Sequence, residues 1–184
     1  MKPLGILALA AAAALAVPRP SLAQATPPED QSGFNISVGG GLTVPVSDFD
    51  DAARMGWHGL AGLGFTSANS TVGFRGDFFY GRNEVDGTSR DFELVGGLGN
   101  LIVNLGQPAR VRPYVILGAG WIHTKVKDVT NGEGDITAAG GLGAKIPLGT
   151  DANLFLEGRY VNVFSDGPDL RFIPITLGVQ FFTR

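Results

Sequence analysis

Arg171-Phe172-Ile173-Pro174-Ile175-Thr176-Leu177-Gly178-Val179-Gln180-Phe181-Phe182 runs almost to the end of the chain and alternates throughout. Ile173, Ile175, Leu177, Val179 and Phe181 fall on one face of an extended strand, and Thr176, Gly178 and Gln180 fall on the other. One face is therefore wholly apolar, and an aromatic pair closes it. The rest of the chain decides whether that face meets a protein core or lipid.

The opposite end carries an export pattern. Lys2 supplies a positive start, Leu4 to Val17 form an apolar run of 14 residues, and Pro18 and Pro20 break it. Ala23-Gln24-Ala25 fits the small-x-small rule and predicts cleavage after Ala25, with Ser21-Leu22-Ala23 as the alternative. Fourteen residues cannot cross a hydrocarbon layer of roughly 30 Å as a helix. No other stretch approaches ~20 uninterrupted apolar residues, so helical membrane spans are excluded. The expected organisation is a signal peptide over 1–25, a short periplasmic leader over 26–33 and one domain over 34–184.

The segment 1–25 holds Lys2, Arg19 and no acid. Its removal leaves 159 residues, with 12 basic against 17 acidic side chains and a net charge of about −5. With no basic cluster interleaved with aromatics, a nucleic-acid partner is excluded. The chain has no cysteine, which removes a disulfide scaffold, a thiol nucleophile, a Cys-based metal site and a lipidated N-terminal Cys. The 28 glycines show no collagen period. They interrupt apolar runs, as at Gly39-Gly40-Gly41, Gly96-Gly97 and Gly140-Gly141, where a narrow, curved barrel uses them for bends and close packing.

Eight segments of about ten residues are separated by turn signals: 34–44, 57–66, 71–81, 91–104, 111–123, 135–147, 152–164 and 171–182. Eight strands of that length are what a small closed outer-membrane barrel requires. The connectors after the second, fourth and sixth segments are mostly shorter. The others carry Asp48, Asp50, Asp51, Asp86, Asp128, Glu133, Asp135, Asp166 and Asp169. Short periplasmic turns and longer outer loops place both termini in the periplasm. The predicted fold is an all-β, eight-stranded, antiparallel up-and-down transmembrane barrel.

Alternation assigns faces. Phe34, Ile36, Val38, Leu42 and Val44 face lipid on the first strand, with Asn35, Ser37 and Thr43 inside. Trp57, Ala61, Leu63 and Phe65 face outward on the second; Val72, Phe74, Phe78 and Tyr80 on the third; Ile136, Ala138, Leu142, Ala144 and Ile146 on the sixth; Leu154, Leu156 and Tyr160 on the seventh. In the fourth, Phe92, Leu94 and Leu98 are followed by Leu101, Val103 and Leu105, which predicts a bulge near Gly99-Asn100. The fifth, Tyr114 to Ile122, is apolar on both faces, and its register stays open. Aromatics near strand ends, with Trp57, Tyr80, Tyr114 and Trp121 foremost, are expected at the membrane interfaces.

These faces send the charges inward: Arg75, Asp77, Glu93, Lys145, Glu157 and Arg159, three of each sign. A balanced set in a lumen no wider than its side chains predicts a salt-bridged plug, with Arg75 and Asp77 within reach of Glu157 and Arg159 across the lumen. An ion-selective path would favour one sign, and catalysis by paired carboxylates is the third alternative. His58 and His123 near the outer strand ends, with Ser47, Ser67 or Ser165, could serve a lipid-modifying enzyme, but no spacing selects a pair, and surface-loop histidines are the simpler reading. Asp48, Asp50 and Asp51, and the run Asn131 to Asp135, resemble calcium ligands only loosely and read as solvated turns. No cofactor, metal site or catalytic residue is expected.

The signal segment, Gly39-Gly40-Gly41-Leu42-Thr43-Val44-Pro45, Arg112-Pro113-Tyr114, Glu157-Gly158-Arg159-Tyr160 and Ile173 to Phe181 together resemble the small outer-membrane β-barrel family of opacity-type proteins and the membrane domain of outer membrane protein A. The resemblance implies a lipid-embedded monomer in a Gram-negative outer membrane, inserted by the barrel-assembly machinery. That machinery would read Ile173, Ile175, Leu177, Val179, Phe181 and Phe182 as its C-terminal signal; Thr183 and Arg184 after the aromatic pair depart from the family pattern. The implied role is envelope integrity and surface contact without enzymatic activity, the surface partner being unspecified. A narrow channel for small apolar solutes and a soluble lipocalin-like carrier are the alternatives.

Overall fold

The computed structural model describes residues 32–46, 54–67, 70–84, 91–105, 110–126, 133–165 and 170–183. The expected signal peptide, most of the expected leader, and Asp48, Asp50, Asp51, Asp86, Asp128, Asp166 and Asp169 lie outside the described residues. The strands are β1 (Gly33–Val46), β2 (Gly56–Thr66), β3 (Val72–Glu84), β4 (Asp91–Asn104), β5 (Arg112–Val126), β6 (Glu133–Pro147), β7 (Ala152–Phe164) and β8 (Leu170–Phe182). Each pairs antiparallel with its neighbours in sequence, and β1 pairs with β8, so the sheet is a closed barrel with no free edge. Closure pairs the backbone groups of each strand with both neighbours, which is the condition for crossing hydrocarbon as a sheet.

The walls follow the alternation. Phe34, Leu63, Phe74, Ile136, Leu142 and Leu177 are among the large apolar side chains left exposed on the outside, while Asn35, Ser37, Thr43, Thr176 and Gln180 are buried inside. This inversion of a soluble protein is what a lipid solvent demands. Connectors at the end bearing both termini include the tight turn 148–151, where Gly149 has φ 79°, a left-handed conformation that a side chain would strain.

β4 corrects the sequence reading, and β5 settles a register that the sequence left open. β4 carries no bulge: its register runs unbroken from Val72↔Val103 to Glu84↔Asp91 on one side and from Phe92↔Val126 to Asn104↔Tyr114 on the other. Leu94, Leu98, Asn100 and Ile102 are buried in the interior, with half-buried Phe92 on the same face. Val95, Leu101 and Val103 therefore take the lipid side, and so does Glu93. β5 resolves with Tyr114, Ile116 and Ile122 inside and Leu117 and Trp121 outside. The β7–β8 ladder is interrupted between Gly158↔Ile175 and Val161↔Phe172, around Pro174, which has no N–H to donate.

The interior has layers. Toward the outer end Phe79, Leu94, Leu98, Ile122, Ala139, Val161, Val163 and Phe172 form an apolar cluster, with the Phe79 and Phe172 rings stacked at 6.0 Å. A charged layer lies at mid-height. Below it a smaller apolar group, Ile102, Tyr114 and Ile116, and a row of amides line the other half.

Candidate functional site

The charged layer is built by β3, β4, β5 and β7. Arg75 and Asp77 sit two residues apart on β3, and Glu157 and Arg159 do the same on β7, so each pair shares the inward face. Arg75 Nη2 donates to Glu157 Oε2 at 2.9 Å and to Asp77 Oδ2 at 3.1 Å. Arg75 Nε lies 2.8 Å from Asp77 Oδ1, an ion pair without hydrogen-bond alignment. Arg159 Nη2 donates to Asp77 Oδ2 and Arg159 Nε to Glu157 Oε1, both at 2.6 Å. Each carboxylate is thus held between two guanidiniums, and all four side chains are at most 5% exposed.

Neutral groups complete the ring. Tyr114 donates its hydroxyl to Glu157 Oε2 at 2.6 Å, and Asn100 donates to Asp77 Oδ2 at 3.0 Å while accepting from Arg159 Nη1 at 3.3 Å. Glycines on neighbouring strands make room for these groups. A Cβ at Gly143 would lie within 3.0 Å of the Tyr114 ring, one at Gly62 would do so at Asp77 Oδ1, and one at Gly118 at Asn100 Oδ1. Small residues on one strand thus accommodate large polar ones on the next, and two positive and two negative charges cancel within the ring.

Glu93 stands apart from this ring. It is on the outer wall, accepting from the Tyr80 hydroxyl at 2.7 Å with Arg82 Nη2 at 3.7 Å, and both charged side chains of that pair are partly exposed. Lys145 is inside and buried, but its ammonium sits 5.0 Å from the Tyr114 ring centroid and makes no ion pair among the described residues. Of the expected interfacial aromatics, Trp57, Tyr80 and Trp121 face outward, with Trp57 against Tyr80 at 5.7 Å. Tyr114 is wholly buried in the lumen. Its position at a strand end suggested a girdle, whereas its spacing from Arg112 on the same face leads into the interior. Asn100 was missed because a bulge was read across it.

His58 is not a surface histidine. It is buried between Thr43 Oγ1, 3.1 Å from Nδ1, and Thr176 Oγ1, 2.8 Å from Nε2, and its ring stacks on Phe79 at 5.2 Å. His123 is exposed on the outer wall, stacked on Trp121 at 5.9 Å. The two imidazoles therefore sit on opposite sides of the barrel wall. Among the described residues no group of three acidic, histidine or cysteine side chains could hold a metal.

Among the described residues the charged ring and the two apolar clusters pack the lumen. An interior void of about 10 Å³ remains among Leu60, Phe79, Leu98, Ile122, Arg159 and Phe172. A larger recess of about 880 Å³, bordered by Phe34, Leu63, Phe65, Phe74, Leu101 and Leu117, is lined mainly by lipid-facing side chains.

Residues 7–181 match the family described as outer membrane protein beta-barrel domain. The chain belongs to that family. Among solved structures, this outer-membrane barrel is similar to Neisserial surface protein A (NspA), with TM-score 0.67, 18% identity and coverage of 83% of this chain and 98% of that one. It is also similar to Ail, the attachment invasion locus protein of Yersinia pestis, with TM-score 0.51, 18% identity and coverage of 82% and 99%. No curated protein matches the barrel in sequence. At these identities the likeness is one of fold.

Proposed function

We propose that this outer-membrane barrel is a non-enzymatic envelope protein whose closed lumen serves membrane integrity and whose outer loops make surface contacts. The observation that carries the reading is the filled interior: an apolar cluster above a neutral four-charge ring, with about 10 Å³ of void between them. Such packing supports a plug, because moving water or a solute through would require separating buried ion pairs that no solvent replaces. The placement of His58, with both ring nitrogens engaged by threonine hydroxyls, supports the non-enzymatic part.

In this reading residues 1–25 are removed on export, the mature chain resides as a monomer among outer-membrane lipids, and β8 is the strand that the barrel-assembly machinery engages. Liposomes carrying the purified barrel are expected to show no solute-dependent swelling with small sugars and no uptake across a panel of small apolar solutes. A deletion strain is expected to become sensitive to detergent. Uptake above that of empty liposomes would replace the plug with the apolar-solute channel, and a lipid modification lost in His58→Ala would replace it with an enzyme.

A further inference from the structure

Below the charged ring the charges no longer balance. Arg112 opens β5 and Lys145 lies two residues before the end of β6, so both stand at the end that carries the termini, which is the periplasmic end of an outer-membrane barrel. They are direct partners in the β5–β6 register, Arg112↔Lys145, and both share the inward face with Tyr114 and Gly143. Side chains so paired start about 5 Å apart, and like charges placed there repel.

Neither makes an ion pair among the described residues. Asp77 and Glu157 are already held by Arg75 and Arg159. Nε and Nη2 of Arg112 are shut off from solvent with no hydrogen-bond partner among the described residues, and Lys145, 7% exposed, holds its ammonium 5.0 Å from the Tyr114 ring centroid. Around the lumen from β6, strands β7, β8 and β1 offer amides instead of acids: Asn153 donates to Gln180 at 3.3 Å, and Gln180 donates to Asn35 at 2.8 Å. Two converging cations with spare donors, and no strand carboxylate at their level, fit a tetrahedral oxyanion. A guanidinium fork can bind two of its oxygens while an ammonium acts as a point charge on a third. Arg112 is half-buried, so at the start of β5 it is the member of the pair that meets solvent, while Lys145 lies behind it.

We propose that Arg112 and Lys145 form a phosphate-binding site at the periplasmic mouth of the lumen, taking either a solute phosphate or a lipid headgroup. The site does not depend on the lumen being closed, because it is reached from the mouth below the ring. The test uses the full mature barrel folded in a phosphate-free sugar detergent, with thermal unfolding followed by heat-dependent gel mobility at constant ionic strength. Replacing chloride by inorganic phosphate is expected to raise the midpoint by about 5 °C at a hundredfold excess over Kd. The shift should vanish in Arg112→Gln and Lys145→Gln and persist in Arg112→Lys.

Without phosphate the two Gln variants should unfold at or above the wild-type midpoint, since each removes one of two repelling charges. A second arm compares bilayers of phosphatidylglycerol with bilayers of a phosphate-free galactolipid. A shift with inorganic phosphate assigns a solute ligand, and a shift with phosphatidylglycerol alone assigns a headgroup. No shift in either arm, or a shift that survives in both Gln variants, overturns the site.

Discussion

Glu157 and Glu93 show how one residue type takes two energetic roles in the same wall. Glu157 is buried and accepts from Arg75, Arg159 and Tyr114, so removing its charge leaves two guanidiniums in the interior with a single carboxylate between them. Glu157→Gln is expected to lower the unfolding free energy by about 3 kcal/mol, measured by urea titration in lipid vesicles. Glu93, on the partly exposed outer wall with Tyr80 and Arg82, belongs to the class of surface pairs whose worth is at most about 1 kcal/mol. Glu93→Gln should therefore shift the same titration by less than ~1 kcal/mol. Equal losses in the two variants would mean that the ring does not hold as a unit.

At the level of the strand, β5 is where physical chemistry left two answers open. Val115, Leu117, Ala119 and Trp121 make one apolar face, and Tyr114, Ile116 and Ile122 make another. Lipid and a packed core each satisfy an apolar side chain, so a period of two cannot say which face is which. Pairing decides it, because Leu98↔Gly120 and Leu101↔Leu117 align the strand with β4, whose Asn100 must meet the charged ring. Leu117→Lys is expected to cost about 2–4 kcal/mol as a charge on the lipid face near mid-membrane. A spin label on Leu117→Cys should collide with oxygen dissolved in the bilayer, and one on Ile116→Cys should not. Similar collision rates at both positions would refute the register.

For the molecule as a whole, the outer half of the lumen behaves as a small protein core inside a membrane wall. Phe79 and Phe172 reach across it from β3 and β8 and stack, and neither ring meets lipid. Phe79→Ala and Phe172→Ala are each expected to cost about 3–5 kcal/mol in the urea titration, and the double variant less than their sum, because the rings share one contact. Full additivity would show that the two halves of the core are independent. The same layered filling explains why the apolar fifth strand is compatible with a closed lumen: its inner face packs instead of lining a passage.

Alternation against turn signals was enough to read eight strands, their limits within a few residues, and the two faces of β1, β2, β3, β6, β7 and β8. Each of those strands has one face too polar for lipid, so water, lipid and core are told apart residue by residue. The inward direction of Arg75, Asp77, Lys145, Glu157 and Arg159 was legible for the same reason. What only the tertiary structure decided was the faces of β4 and β5, and with them the outward position of Glu93, the interior positions of Tyr114 and Asn100, and the exposure of Arg112 to the lumen. These strands have few polar side chains to break the symmetry between lipid and core, so their orientation is set by neighbours. The choice of partners was equally out of reach, since which carboxylate meets which guanidinium depends on relative strand heights around the closed barrel. That geometry neutralises four charges and, among the described residues below the ring, leaves Arg112 and Lys145 paired with each other across β5 and β6.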